Sequence, residues 1–276
     1  MTKLLSANLV RLRKSIIFWV GIIFMAGIAA FILINQYLDS VKYGLNLSLD
    51  SFILGYSVII GIVAAVFCSL FLGTEYSDGT IRNKLIVGHT RISIYLSMLI
   101  TSIIAALLMC LSFLMVMCAV GIPLIGFVSI DIWRLSAMLL GSLLMVCAVC
   151  SILTAISMLV PNKALAAVIS ILGMIGLLLI AIDIQQKLDA PEFYPAQVYI
   201  EDGNMTMSEE VVNPTYITGI ARLVYAAILD IIQSGQAFQY ASMSAVHLWQ
   251  MPLYSLAIVI LSTIAGIIFF NRKDIK

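Results

Sequence analysis

Residues 164–182 read ALAAVISILGMIGLLLIAI and contain no charged side chain. A helix of about 20 such residues spans the hydrocarbon core of a bilayer, which is roughly 30 Å thick. Five further stretches of this kind occur along the chain. The sequence therefore predicts an all-α integral membrane protein with six transmembrane helices. The predicted spans are residues 16–35, 52–72, 94–121, 132–159, 164–182 and 253–270.

Composition supports a membrane protein and excludes several other classes. Apolar residues make up 62% of the 276 residues and charged residues only 11%, against about 45–50% and 25% in soluble domains. A cytosolic enzyme, a secreted disulfide scaffold and a disordered protein are thereby excluded. The net charge of +1 gives no indication of a nucleic-acid partner.

The distribution of basic residues predicts the orientation. With six spans, both termini lie on one side, and 11 of the 15 Lys and Arg residues fall on that side. Because basic residues are retained in the cytoplasm, we expect both termini to be cytoplasmic. The first span has basic residues before it but no cleavage site after it, so we interpret it as an uncleaved span. Loop 73–93 is then cytoplasmic, and segment 183–252 is extracellular.

The sequence lacks the motifs of the common ATP-using and hydrolytic enzymes. It has no phosphate-binding P-loop, no H-E-x-x-H and no G-x-S-x-G, and no span has an ionisable residue near its middle. Cys147 and Cys150 are interpreted as small apolar residues of a membrane helix. We expect no catalytic, cofactor-binding or metal-binding residue in this chain. If the protein moves a substrate uphill, the energy must come from another subunit.

Loop 73–93 is the longest and most charged of the predicted cytoplasmic loops. Asp78-Gly79 indicates a turn, Thr80 is a candidate N-cap and Gly88 a candidate C-cap. Between them the pattern predicts a short amphipathic helix at the membrane surface, over residues 80–87. Its apolar face is predicted to contain Ile81, Leu85 and Ile86.

The same loop carries a family resemblance. Residues 73–95 read G-x-E-Y-x-x-G-T-I-R-N-K-L-x-x-G-x-x-R-x-x-I-Y, which resembles the cytoplasmic loop of ABC type-2 permeases, the membrane subunits of bacterial ATP-driven exporters. Weaker resemblances extend over most of the chain. They are found at residues 1–14, 213–216, 222, 235–237 and 269–276.

The resemblance implies that this loop is a coupling helix that contacts an ATP-binding subunit. From charge and position we expect Glu75, at the base of the second span, to pair with Arg82 or Arg91, and Arg82 and Lys84 to reach acidic residues of that subunit. Alanine at Arg82 or Glu75 is expected to uncouple transport while leaving the fold intact. The residues that match the family pattern are Glu75, Gly79, Thr80, Ile81, Arg82, Asn83, Lys84, Gly88 and Arg91.

The resemblance also implies partners and a location. The partners are a cytoplasmic ATP-binding-cassette subunit, which would hold ATP and Mg, a second permease copy in a homodimer or heterodimer, and membrane lipid. The location is the bacterial cytoplasmic membrane, and the cargo would be an amphipathic or antimicrobial peptide or a lipid-like molecule. The second and fifth spans would line its pathway. Candidate lining residues are Phe67, Leu70, Phe71, Ile175, Leu178 and Leu179.

Two flanking segments complete the predicted architecture. Residues 1–14 place Leu5, Leu9 and Leu12 on one face, as in a basic helix lying at the inner membrane interface. The extracellular segment contains a predicted hairpin of residues 197–200 and 204–207. An amphipathic helix over 217–232 follows, and the resemblance suggests that this region forms an outer gate.

Two other functions fit the sequence. One is a stand-alone ion-coupled transporter or channel, against which the absence of intramembrane charge argues. The other is a membrane immunity or binding protein that sequesters a peptide without transporting it.

Overall fold

The computed structural model describes residues 1–44, 48–126, 129–194, 198–201, 204–207, 211–214 and 216–273. Within these ranges the chain is predominantly helical. The helices are α1 (Thr2–Lys14), α2 (Ile16–Tyr43), α3 (Asp50–Ile53), α4 (Tyr56–Ser77), α5 (Thr80–Ile86), α6 (Arg91–Val116), a π-helix (Met117–Gly121), α7 (Ile122–Ile125), α8 (Ile132–Leu159), α9 (Lys163–Asp189), α10 (Gly219–Ile231), α11 (Gln233–Ala241) and α12 (Gln250–Arg272).

Six of these elements are long and apolar enough to cross a membrane, as predicted. They are α2, α4, the continuous stretch from α6 to α7, α8, α9 and α12. Most run beyond the predicted spans, and α4 begins at Tyr56 because Phe52 belongs to the separate helix α3. The depth at which the bilayer meets each helix stays a prediction.

Local polar side chains explain several helix boundaries. Asn162 accepts hydrogen bonds from the first N–H groups of α9, and Thr90 accepts one from the N–H of Ser93 at the start of α6. Such caps satisfy backbone donors that have no partner within the helix. Gly44 ends α2 with a φ of 63°, a left-handed conformation that glycine adopts without steric cost.

The centre of the bundle is formed by α4 and α8. In their most apolar stretches 61% and 56% of the residues are buried, compared with 17% in both α9 and α12. The outer helices α2, α9 and α12 therefore present exposed apolar faces, which suit contact with lipid. Helix α4 packs against α8 and α9, while α12 packs against α8, and α2 packs against α6.

The segment between α9 and α12 combines short strands with two helices. Strand β1 (Phe193–Tyr194) pairs with β4 (Val211–Val212), and β2 (Val198–Glu201) pairs antiparallel with β3 (Asn204–Met207), which confirms the predicted hairpin. The turn residues Asp202 and Gly203, the acidic pair Glu209 and Glu210, and residues 274–276 lie outside the described ranges. Helix α10 stands where the amphipathic helix was predicted, and an extended Ile232 separates it from α11.

Candidate functional site

Helix α5 lies between two glycines whose backbone conformations set its direction. Gly79, before the helix, has a φ of 65°, and Gly88, after it, has a φ of 94°. At the C-terminal end, the N–H of Gly88 donates to the carbonyl of Leu85, and the N–H of His89 donates to that of Lys84. This pair of bonds is a Schellman motif. The predicted roles of the two glycines are confirmed.

The two faces of α5 meet different surroundings. Ile81 is fully buried, and Leu85 packs against the hydrophobic core. Arg82 and Asn83 are exposed, and Ile86 and Val87 are 74% and 76% exposed. The prediction that Ile86 shares the buried face is therefore wrong. The exposed face therefore carries both polar and large apolar side chains.

Glu75 connects α5 to the rest of the protein. Its side chain is 2% exposed, and its two oxygens accept hydrogen bonds from three residues. Arg11 donates to Oε1, whereas the ammonium of Lys84 and the hydroxyl of Thr80 lie 2.8 Å and 2.5 Å from Oε2. We call Arg11, Glu75, Thr80 and Lys84 the Glu75 cluster. It joins α1, the end of α4 and α5 in one polar network.

Further contacts fix α1 in this network. The guanidinium of Arg11 donates to the carbonyl of Phe71 at 2.7 Å and lies 4.4 Å from the centre of the Phe71 ring. Asn8, which is 2% exposed, accepts from Lys84 at 3.2 Å and donates to the hydroxyl of Ser97 at 3.1 Å. Helix α1 is thus attached to α4 and α5 by partly buried polar bonds and to α6 by a buried one.

The electrostatics of the Glu75 cluster are unbalanced. Two cations meet one carboxylate in a partly buried site. Burial, together with the positive charge of Arg11, lowers the pKa of Lys84 to about 8, whereas the ion pair with Glu75 favours its charged form. Burial also lowers the pKa of Arg11. Loss of the carboxylate would leave both cations without their buried counter-charge, and only the exposed Asp78 would still favour the charged form of Arg11.

Several sequence predictions about this region are wrong. Glu75 pairs with Arg11 and Lys84 and not with Arg82 or Arg91. The amine of Lys84 points into the protein, so it is not available to an external acid. Thr80 does not cap α5, because its hydroxyl binds Glu75.

The predicted apolar face of α1 is also displaced. Leu4, Asn8 and Leu12 are the buried residues of α1, while Leu5 and Leu9 are only half-buried. The displacement follows from Arg11 and Asn8, whose polar bonds draw that side of the helix inward.

Arg91 takes part in a second polar cluster on the same side of the protein. Its guanidinium donates to the carbonyls of Phe270, Asn271 and Lys273 at the end of α12. A cation at this position also interacts favourably with the negative end of the helix dipole. The amine of Lys273 in turn donates to the carbonyl of Met158 at 3.2 Å, at the end of α8. Arg91 and Lys273 together therefore connect the start of α6 with the ends of α8 and α12.

The predicted pathway residues differ in exposure. Phe67 and Phe71 are buried within the chain and stack on each other, with ring centres 5.1 Å apart. Leu179 is 60% exposed. The half-buried residues are Leu70, Ile175 and Leu178. The structure brings Phe71 into contact with Arg11, which the sequence did not predict.

A polar cluster also lies at the junction of α10, α11 and α12. Asp230 accepts hydrogen bonds from Gln239 at 2.9 Å and contacts the imidazole of His247 at 2.8 Å. The fully buried Gln236 donates to the carbonyls of Asp230 and Met251 and accepts from the hydroxyl of Ser255. These bonds fix the non-helical residue Ile232, between α10 and α11, close to the start of α12.

Sequence reasoning missed Asn8 and Arg11 as members of the site. One signal was available, because Asn8 occupies the same helical face as Leu4 and Leu12, four residues away on either side. A polar residue within an apolar stripe is expected to have a buried partner. The identity of that partner could not be deduced from spacing, since Lys84 and Ser97 are more than 70 residues away.

Comparison with known proteins adds an independent finding. A model of the ABC-2 family of transporter proteins matches residues 4–177. The match begins within α1, contains α5 and every residue of the Glu75 cluster, and ends within α9. No curated protein matches the chain at a significant level. Because the family model covers more than half of the sequence, the chain belongs to the ABC-2 family of transporter membrane proteins.

Proposed function

We propose that the chain is the permease subunit of an ATP-driven exporter, and that the exposed face of α5 binds the ATP-binding subunit. The observation that carries this proposal is the division of α5 into two faces. One face is held by Glu75 and the core, whereas the other presents Arg82, Ile86 and Val87 to a partner. Membership of the ABC-2 family supports the same assignment.

The Glu75 cluster would transmit movement of the partner to the membrane helices. Because Lys84 and Thr80 of α5 bind the carboxylate at the end of α4, a displacement of α5 would pull on the second span. Arg11 would carry the same displacement to α1. Coupling requires that the partner bind α5 differently in its open and ATP-closed states.

The proposed complex has the orientation that the basic residues predict. Both termini and α5 lie in the cytoplasm of a bacterium, and the segment with α10 and α11 lies outside. The chain forms a homodimer or heterodimer with a second permease copy and binds one ATP-binding subunit per copy. That subunit holds ATP and Mg and performs hydrolysis, so the permease itself is not an enzyme.

The proposed cargo is an amphipathic or antimicrobial peptide or a lipid-like molecule. The exposed and half-buried apolar residues of the fifth span, Ile175, Leu178 and Leu179, support a pathway that accepts apolar surface. Leu70 of the second span is likewise accessible. Phe67 and Phe71 would not contact the cargo directly, because both are buried within the chain. They would pack behind the residues that line the pathway.

The test is ATP hydrolysis by a tagged complex purified from native membranes in mild detergent. Ile86→Ser and Arg82→Ala are the variants, and Ile132→Ser is the matched control, since Ile132 is 81% exposed but lies in α8, away from α5. The proposal predicts that an ATPase co-purifies with the wild type and the control, and that both α5 variants lose it or lower its activity. A folded protein that never co-purifies with an ATPase would overturn the proposal.

A further inference from the structure

The turn that leads from α11 towards α12 is strained. Met243 has a φ of 56°, a left-handed conformation that residues other than glycine rarely adopt. Its N–H donates to the carbonyl of Tyr240 at 3.2 Å. The N–H of the next residue, Ser244, donates to the carbonyl of Gln239 at 3.0 Å. This is a Schellman motif in which methionine occupies the position usually held by glycine, so the turn depends on its surroundings to keep its conformation.

Asp230, near the end of α10, holds this turn from both sides. Its side chain is only 8% exposed. The amide of Gln239, before the turn, donates to Oδ1 at 2.9 Å, and Nδ1 of His247, after the turn, lies 2.8 Å from Oδ2. The carbonyl of His247 accepts from the N–H groups of Gln250 and Met251, the first residues of α12. His247 therefore connects α10 directly to the start of the last span.

The charge of His247 determines the strength of this connection. Histidine is the side chain that ordinarily changes charge between about pH 5 and pH 8. The side chain of His247 is 46% exposed, so it exchanges protons with solvent, whereas its partner carboxylate is buried. A neutral imidazole offers Asp230 a hydrogen bond alone. A protonated imidazole adds the attraction of opposite charges, which is stronger beside a buried group than in water.

A protonated His247 also balances the charges that line the adjacent cavity. This cavity, of about 340 Å³, lies between α9, α10 and the turn before α12. Asp189 and Asp230 bring two acids to its wall, and Arg222 brings one cation. In their ordinary ionised forms these three groups leave one negative charge uncompensated. Protonation of the imidazole supplies the missing positive charge.

The other titratable groups near the turn do not change charge over this range of pH. The guanidinium of Arg134, from α8, lies 3.4 Å from the carbonyl of Met243, and arginine stays protonated. Tyr240 of α11 stays neutral, because burial and the nearby charge of Asp230 raise its pKa. The first four residues of α12, 250–253, have no titratable side chain. A response of the turn near neutral pH therefore points to His247.

We propose that the contact between His247 and Asp230 makes the junction of α10, α11 and α12 sensitive to pH. Protonation of His247 tightens the junction, and deprotonation loosens it. The stabilisation is complete while the imidazole is protonated and is lost as the pH rises through the range in which it deprotonates. In the orientation proposed above, the junction faces the outside of the cell and responds to external acidity. The inference itself rests on contacts within this chain and requires neither an ATP-binding subunit nor a cargo.

The test is hydrogen exchange of the purified full-length protein in detergent, at about pH 5.5 and about pH 8, on either side of the usual range of histidine. Rates are corrected for the intrinsic effect of pH on amide exchange. The upper end of the strength of a partly exposed ion pair predicts that residues 230–251 open about fivefold more often at the higher pH. His247→Gln should open equally at both values. His89→Gln, which changes the other histidine of the chain, should retain the fivefold response.

A second variant separates the ion pair from other effects of pH. Asp230→Asn keeps the size of the side chain and removes its charge, so the pH dependence should disappear here as well. If this buried variant does not fold, His247→Gln decides alone, since its side chain is half exposed. Equal opening of the wild type at both pH values would overturn the proposal. So would a fivefold response that persists in His247→Gln, because the imidazole would then not be its source.

Discussion

The carboxylate of Glu75 and the ammonium of Lys84 lie 2.8 Å apart, and this contact joins the end of the second span to α5. The side chain of Lys84 is 17% exposed and that of Glu75 is 2% exposed. The pair is therefore part of the interior and not a surface ion pair of negligible energy. Its removal should affect folding and coupling together.

Replacement of Glu75 by Gln is expected to destabilise the protein. The change leaves Arg11 and Lys84 without their buried counter-charge. Because the two cations keep 32% and 17% of their side chains exposed, we expect a loss of about 1–3 kcal/mol. Thermal unfolding in detergent measures the effect. The prediction from sequence that Glu75→Ala leaves the fold intact is not compatible with this burial, so Arg82 is the better position for a coupling experiment.

Two further variants make the Glu75 measurement specific. Asp39→Asn removes an exposed acid of α2 that lies outside the Glu75 cluster and should leave the melting temperature nearly unchanged. Lys84→Met combined with Glu75→Gln should recover part of the loss, because one of the two unpaired cations is then absent. Equal melting temperatures for Glu75→Gln and Asp39→Asn would contradict the assigned role of the carboxylate.

Gly73→Ala should disturb the contact between the second and fifth spans. A Cβ atom at Gly73 would lie 2.5 Å from the Cβ and 3.1 Å from the Cα of Lys163 at the start of α9. Because the backbone of α9 must move, we expect a loss of about 1–3 kcal/mol. Gly173→Ala on α9 is the control, since nothing lies within 4 Å of the added atom. Thermal unfolding that ranks Gly173→Ala below Gly73→Ala would refute the packing described.

Gln236→Ala should loosen the junction of α10, α11 and α12. The buried amide makes three hydrogen bonds. Its loss removes a donor from the carbonyls of Asp230 and Met251 and leaves the hydroxyl of Ser255 with only its longer bond to Gln233. We expect a loss of about 1–3 kcal/mol and faster hydrogen exchange over residues 230–255. Gln186→Ala, at an exposed position of α9, should change neither quantity.

The six membrane helices could be predicted from sequence because a span needs about 20 apolar residues and little else. The boundaries of α5 could also be predicted, since Gly79 and Gly88 mark its two ends. Both features depend on residues close together in the chain. Short-range patterns are therefore sufficient for this level of the structure.

The composition of the Glu75 cluster could not be predicted in the same way. Arg11 and Glu75 are 64 residues apart, and no local pattern specifies which of several basic residues meets a given acid. The burial of Phe67 and Phe71 could not be predicted for a different reason. Lipid and protein interior are both apolar, so hydropathy does not distinguish a side chain that faces a pathway from one that packs inside the chain.

We propose that the exposed face of α5 binds the ATP-binding subunit while Glu75 fixes its other face. Photo-cross-linking in native membranes examines this contact, with a photoreactive amino acid at Ile86 and, as a control, at Ile132. We expect a cross-link from position 86 to a cytoplasmic ATPase, and none from position 132. If position 86 captures only lipid, while the protein is folded and present at its normal level, α5 does not bind the ATPase.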